Sequence, residues 1–393
     1  MTEPALTPLL DPDGPLDERQ RAVVTRVAEA EYAKILSLPT DDPLDPKRRH
    51  RVEVTRDELL AQPQAIRSTW DRNADVLVPL AARLVEAAPQ RAFLVGAGDS
   101  LAVMVAARDL LELALGVPCE PVQALDFAYY RGHLLDETSL VIALSSSGET
   151  TRTVEAALVA QHAGALTVAL TNTPGSSLDE ECDTTLLIEA TRVGWPTQAS
   201  TAALALLYRL GVEVAKARGV EEVAGLEPVV LALPDLVAGV VATHEAAVAE
   251  VAEAEHAKAM YLFSGGGPSW ACAVIGAAKV RECSPDHAQP IQVEEYHHYN
   301  SQKTGEPIWV IAPQGYSVAR AVDTVRDARR YGGSVYVVTT EGVDRFDGLA
   351  DLVLHLPAVP EMLSPMLTVL PVQMFGHHVA MAKFRAAERS QGA

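Results

Sequence analysis

A shift of 169 residues lays Gly98 on Gly267, Val141-Ile142-Ala143 on Val310-Ile311-Ala312, Gly164 on Gly333 and Val168 on Val337, without a gap. Self-similarity at a fixed offset means one supersecondary unit used twice. In the first copy, short apolar runs at 92–95, 140–144, 166–170 and 184–188, with a further strand near 119–123, alternate with helical stretches. Such alternation predicts a mainly parallel, doubly wound α/β sheet. Two such sheets are expected.

Around them the pattern is helical. Residues 17–38 carry Val23, Val24, Val27, Tyr32, Ile35 and Leu36 at three- and four-residue steps. PTDDPLDPKRRH then breaks the pattern, and Thr55 with Glu58 makes a capping-box pair that predicts a helix start. Helices are also expected over 73–88 and, as a connector, over 234–260. The first 15 residues read as a mobile arm. The division expected is 1–53 for the N-terminal arm and helix, 54–232 for the first unit with its leading helices, 233–259 for the connecting helix and 260–393 for the second unit.

The copies diverge where chemistry would sit. In the first, the strand 140–144 runs into Ser145-Ser146-Ser147-Gly148 and then Glu149 and Thr150, which open a helix. Free backbone N–H groups, a positive dipole end and stacked hydroxyls make such a turn an anion or phosphate holder; the plainer reading is that the serines cap the helix. In the second copy the same positions are Gln314-Gly315-Tyr316-Ser317. That copy carries Lys279-Val280-Arg281-Glu282 and Glu294-Glu295-Tyr296-His297-His298 instead, with Glu282 opposite Leu113 and His298 opposite Tyr129. One half is thus expected to hold a substrate and the other to act on it.

A net charge of −20 argues against nucleic acid and against an anionic membrane surface, so local donors must attract an anionic ligand. The basic run Lys47-Arg48-Arg49-His50-Arg51 reads as a solvated linker. Four cysteines without a CxxC pair or metal spacing suit the reduced thiols of a cytoplasmic protein. No secretion signal is visible, and no apolar run is expected to reach membrane-spanning length.

These residues resemble the tandem sugar isomerase (SIS) domain family, in particular the isomerase half of glucosamine-6-phosphate synthase and relatives without a glutaminase. LSSSGETTRT is similar to that family's phosphate turn, and Gly98-Asp99-Ser100 to its Gly-Thr-Ser loop, with Asp99 where Thr is usual. Asn172-Thr173-Pro174-Gly175-Ser176-Ser177-Leu178 and Glu58-Leu59-Leu60-Ala61-Gln62-Pro63 resemble further family segments. The resemblance runs from about Val54 to about Lys383. It implies two flavodoxin-like doubly wound domains. Gly98, Ser100, Ser145, Ser146, Ser147 and Thr150 would hold a sugar phosphate, and Gln198 and Ser200, in QAST, would touch the sugar. Glu282 falls on the family's base, with Lys279 and Arg281 as its cations, and His298, sixteen residues on, falls on its ring-opening His.

The match has departures. Ala202 replaces a Lys, Tyr299-Asn300 replaces the Gly-Pro after the His, so that His297 competes for its role, and AAERSQGA does not match the C-terminal Lys tail. No N-terminal Cys nucleophile is visible, so glutamine-dependent amination is not expected.

The expected enzyme is a cytoplasmic aldose–ketose isomerase of a sugar phosphate or amino-sugar phosphate that needs no cofactor and no metal. Glu282 would shuttle a proton through an enediol, His298 would open the ring, and Lys279 or Arg281 would tune the base or stabilise charge. A homodimer completing the site across its interface is expected. The alternatives are a deaminase or deglycase on the same scaffold, or a non-catalytic sugar-phosphate sensor. Taken alone, Glu282 and Lys279 also make an ordinary i, i+3 helix pair. His377 and His378, in an apolar stretch, read as core or interface residues.

Overall fold

The computed structural model describes residues 7–35, 38–299 and 302–391. Leu36 and Asn300, named above, and residues 1–6 of the expected arm lie outside them. Helices α1 (Glu18–Ile35), α2 (Pro46–Arg72) and α3 (Ala74–Ala87) precede the first sheet. Its elements are β1 (Arg91–Gly96), α4 (Asp99–Leu115), β2 (Cys119–Gln123), β3 (Ser139–Leu144), α5 (Thr151–His162), β4 (Leu166–Thr171), β5 (Thr184–Leu187) and α6 (Gln198–Arg218). Helix α7 (Glu227–Glu255) leads to β6 (Met260–Gly265), α8 (Ser269–Cys283), β7 (His287–Gln292), β8 (Ile308–Ile311), α9 (Val318–Arg330), β9 (Val335–Thr340), β10 (Leu352–Leu356) and α10 (Pro365–Gln391). Shorter helical turns are left unnumbered.

Every strand pair is parallel, and both sheets have the same order, β2-β1-β3-β4-β5 and β7-β6-β8-β9-β10. Strands β6 and β9 start and stop 169 residues after β1 and β4. In each sheet the order reverses between the first and third strands, which are paired neighbours. Loops leaving the carboxyl ends of two such strands turn to opposite faces and leave a crevice between them. In the first sheet those loops are Ala97–Gly98 and Ser145–Thr150.

Helices α4, α6, α8 and α10 pack between the sheets, and one buried cluster with Met104, Leu110, Tyr208, Phe263, Val372 and Phe375 runs through both halves. Contact between α10 and α8 is closest at Gly376, where an added Cβ would sit 2.6 Å from the Cβ of Lys279. Only glycine permits that approach.

Four expectations are corrected. Helix α2 starts at Pro46, not near Thr55. Asp45 caps it by accepting from the Lys47 N–H at 2.8 Å, and proline suits the first helical position. The basic run therefore lies in the first turns of a helix rather than in a linker, and Arg48 is buried. Described residues of the arm are docked: the Leu10 N–H donates to the Tyr129 hydroxyl at 3.0 Å, and Leu9 packs against a buried cluster with Val154 and Leu158 of α5. Lastly, the connector starts earlier, at Glu227, and residues 221–255 are long and apolar enough to cross a membrane by length and composition. In the fold α7 packs along α10 and α2, burying Val230, Leu233, Val237, Val240, Val241 and Val248 at helical spacing.

Candidate active site

At the serine turn, β3 is buried along its whole length, and the chain leaves it through Ser145, itself buried. The Ser145 hydroxyl lies 2.9 Å from that of Thr150 and 3.4 Å from that of Ser147, and accepts the Gly148 N–H at 3.1 Å. Gly148 has φ +65°, and an added Cβ would fall 1.9 Å from Ser176 Oγ, so the turn requires glycine on both counts. The N–H groups of Ser146, Ser147 and Thr150 have no partner among the described residues. Unpaired amides beside clustered hydroxyls at a helix start form a concavity for an anion. The helix that follows is capped from elsewhere: Glu31 of α1 accepts from the Thr151 N–H at 3.1 Å and from its hydroxyl. The serines are therefore not consumed as caps.

Across the crevice, Gly98 precedes α4, and Ser100 lies in its first turn with no side-chain partner among the described residues. Asp99, between them, touches the second half. The Lys279 ammonium is wholly buried, lies 2.7 Å from Asp99 Oδ2 and also pairs with Glu282 Oε2. The Asp99 and Glu282 side chains are 12% and 30% exposed, so Glu282 keeps partial access to solvent while the cation and the Asp99 oxygen that meets it are sealed. Burial alone would lower Lys279, but Asp99 and then Glu282 outweigh it and hold the ammonium well above its ordinary range. For Glu282, burial pushes the carboxyl up, Lys279 pulls it back, and the charge of Asp99 pushes it up again, leaving it raised. The two directions are compatible because one ammonium serves two carboxylates.

Helix α2 closes the far side. Arg48 donates to the Glu282 backbone carbonyl at 2.9 Å, and Arg51, one turn on, lies 3.6 Å over the Trp195 ring. Burial lowers the Arg51 guanidinium, and Glu282 is the first group to oppose it. Reading the sequence missed Asp99, Arg48, Arg51 and Trp195 as parts of the cluster around Glu282. Its one usable signal for the cations was their i, i+3 spacing in a run dismissed as linker.

The other named residues separate. Arg281 is exposed, forms no ion pair among the described residues and projects from a different face of α8 than Lys279 and Glu282. Gln198 is buried and donates to the Thr191 carbonyl and hydroxyl, which anchors the loop before α6. Ser200 lies in an apolar crevice with Val103, Cys272 and Val369, away from open solvent. His298 is 60% exposed and meets Glu294 at 3.3 Å, not Glu282. His297 is held by Asp327 and Thr324 at 3.1 and 3.0 Å.

The equivalent crevice of the second sheet is unlike the first. An added Cβ at Gly315 would fall 2.1 Å from Glu361 Cδ, so that carboxylate already lies against the turn, and Asp109 and Glu294 line the same hollow. An anion would be repelled there. A further groove, between residues 11–16 and α5, is lined by Tyr129, Glu155 and His162 and includes no residue of the serine turn or of the Lys279 cluster.

Residues 87–212 match the SIS domain, covering the crevice of the first sheet and its serine turn. This is a SIS-domain protein. Its sequence is 32% identical over 304 residues to the glutamine–fructose-6-phosphate aminotransferase (isomerizing) of Mycobacterium tuberculosis, and 30% identical over 334 residues to that of Thermus thermophilus. Those alignments take in 75% and 82% of the chain but 48% and 55% of the relatives, so the SIS protein spans about half their length. Its fold is shared with the C-terminal domain of glucosamine-fructose-6-phosphate aminotransferase from Francisella tularensis, at TM-score 0.76 and 23% identity, over 84% of this chain and 96% of that one. The tagatose-6-phosphate ketose/aldose isomerase of Escherichia coli has the same fold at TM-score 0.68 and 18% identity, over 83% and 92% of the two chains.

Proposed function

We propose that this SIS protein is an aldose–ketose isomerase of a phosphorylated sugar or amino sugar. The observation that carries the reading is the bridge from Asp99, beside Ser100 at the anion turn's crevice, through Lys279 to Glu282. In this reading the bridge links a partly desolvated carboxylate to the loop that flanks the serine turn's crevice. The serine turn holds the phosphate, and its binding energy orients the far end of the sugar. Glu282 removes the proton from C2 and returns it to C1, through an enediol whose oxygens Lys279 and Arg51 stabilise electrostatically. His298 opens the ring from a neighbouring subunit of a homodimer. This chemistry calls for no cofactor.

The test is a panel of hexose, pentose and amino-sugar phosphates incubated in D2O while the C2 hydrogen is followed by NMR. Exchange with one or more of them is expected, and Glu282→Gln should lower it by roughly 10²–10⁴-fold while binding is kept. Release of ammonia from an amino-sugar phosphate would assign the site to deamination instead. Tight binding without exchange of any substrate would leave a sensor.

A further inference from the structure

One buried ammonium needs one counter-charge, and Lys279 has two. Asp99 reaches it from the first half and Glu282 from its own helix. Where the SIS family usually carries Thr, a hydroxyl would leave the ammonium to Glu282 alone, as a one-to-one pair. A carboxylate so neutralised is a weak base, because its negative form is the one the pair stabilises.

We propose that Asp99 is a positioning residue of this site, which draws off part of the Lys279 charge and leaves Glu282 held in place but under-neutralised as a base. The proposal rests on Glu282 being the base. Geometry supports it on every side of the carboxylate. Lys279 and Cys283 flank Glu282 on α8, Asp99 comes from α4, and Arg48 and Arg51 come from α2. Of the two arginines, Arg48 is taken up by backbone carbonyls, those of Glu282 and Thr40, and Arg51 by the Trp195 face and the Gly194 carbonyl. Among the described residues Lys279 is thus the one cation bonded to the Glu282 carboxylate, and Asp99 the group that competes for it. Burial and the Asp99 charge both act to raise Glu282 against Lys279.

The experiment is a carboxyl ¹³C NMR titration of the full chain, with the Glu282 signal assigned by its loss in Glu282→Gln. In Asp99→Asn and Asp99→Thr the Glu282 midpoint should move to lower pH; an unchanged or higher midpoint overturns the proposal. In the wild type, the Glu282 signal should depart from a single-step curve, as that of a coupled site does. A single-step curve would overturn the proposal even if neither variant folds. On a substrate found by the exchange panel, the acidic limb of kcat/KM should follow the NMR midpoint, so both variants keep more of their maximal rate at pH 5 than the wild type. A limb that stays put while the NMR midpoint moves would remove Glu282 from the chemistry and leave the coupling with Asp99 intact.

Discussion

Two kinds of residue build the site, and they respond differently to substitution. Gly148 acts through backbone shape. Gly148→Ala brings strain at positive φ and a collision with Ser176, so we expect a loss of about 1–3 kcal/mol in denaturant unfolding. Inorganic phosphate binding by calorimetry should weaken with it; unchanged phosphate affinity would mean that the turn is not the anion site. Lys279 acts through charge. Lys279→Met should leave Asp99 and Glu282 facing each other without their cation and destabilise the fold by about 3–5 kcal/mol. The double variant with Asp99→Asn should recover part of that loss, and equal melting of the single and double variants would refute the shared-cation picture. The serine turn was legible from sequence because strand, turn and helix start are contiguous. Asp99 was read only as an odd residue in a family loop, since its partner Lys279 is on another helix.

At the scale of elements, α2 and α10 are joined by a histidine. His377 is buried on α10, and its Nδ1 donates to the Val52 carbonyl of α2 at 3.0 Å, a bond either protonation state can make, so it is burial that favours the neutral ring. Burial first, then the neighbouring His378, depress its pKa to about 3. The stability tied to the neutral ring is therefore complete above the unfolded value near 6.5 and is lost as pH falls toward 3. The loss is on the order of 4 kcal/mol over that window. Urea midpoints between pH 7 and pH 4 should fall for the wild type and fall less steeply for His377→Gln. A parallel decline in both would assign the acid sensitivity elsewhere. The apolar setting of this pair was readable from the sequence, but its partner on α2 was not. That helix was expected to start at Thr55, after the segment that supplies Arg48, Arg51 and Val52.

For the whole molecule, the decisive question is where His298 acts. Within one chain it is largely exposed beside Glu294. If a homodimer completes each site, Glu282→Gln and His298→Ala are each inactive alone, while an equal mixture of the two regains about a quarter of wild-type activity. Half of the dimers are then mixed, and each has one intact site. No recovery after mixed refolding or co-expression would place the whole site within one subunit and exclude His298.

The repeat register, the alternation of strands and helices and the serine turn are properties of neighbouring residues, so the sequence by itself determined the two parallel sheets and the strand–turn–helix junction at Ser145–Thr150. Pattern and spacing carry that information because backbone hydrogen bonding and burial act locally. Tertiary structure alone decided what surrounds Glu282. Asp99 and Lys279 meet because α4 packs on α8, and Arg48 and Arg51 arrive on a helix whose start a proline conceals. Charges found at such crossings depend on how helices pack, and no spacing along the chain records it. Arg281, by contrast, is turned from the pair by the helical period alone, which spacing along the chain does record.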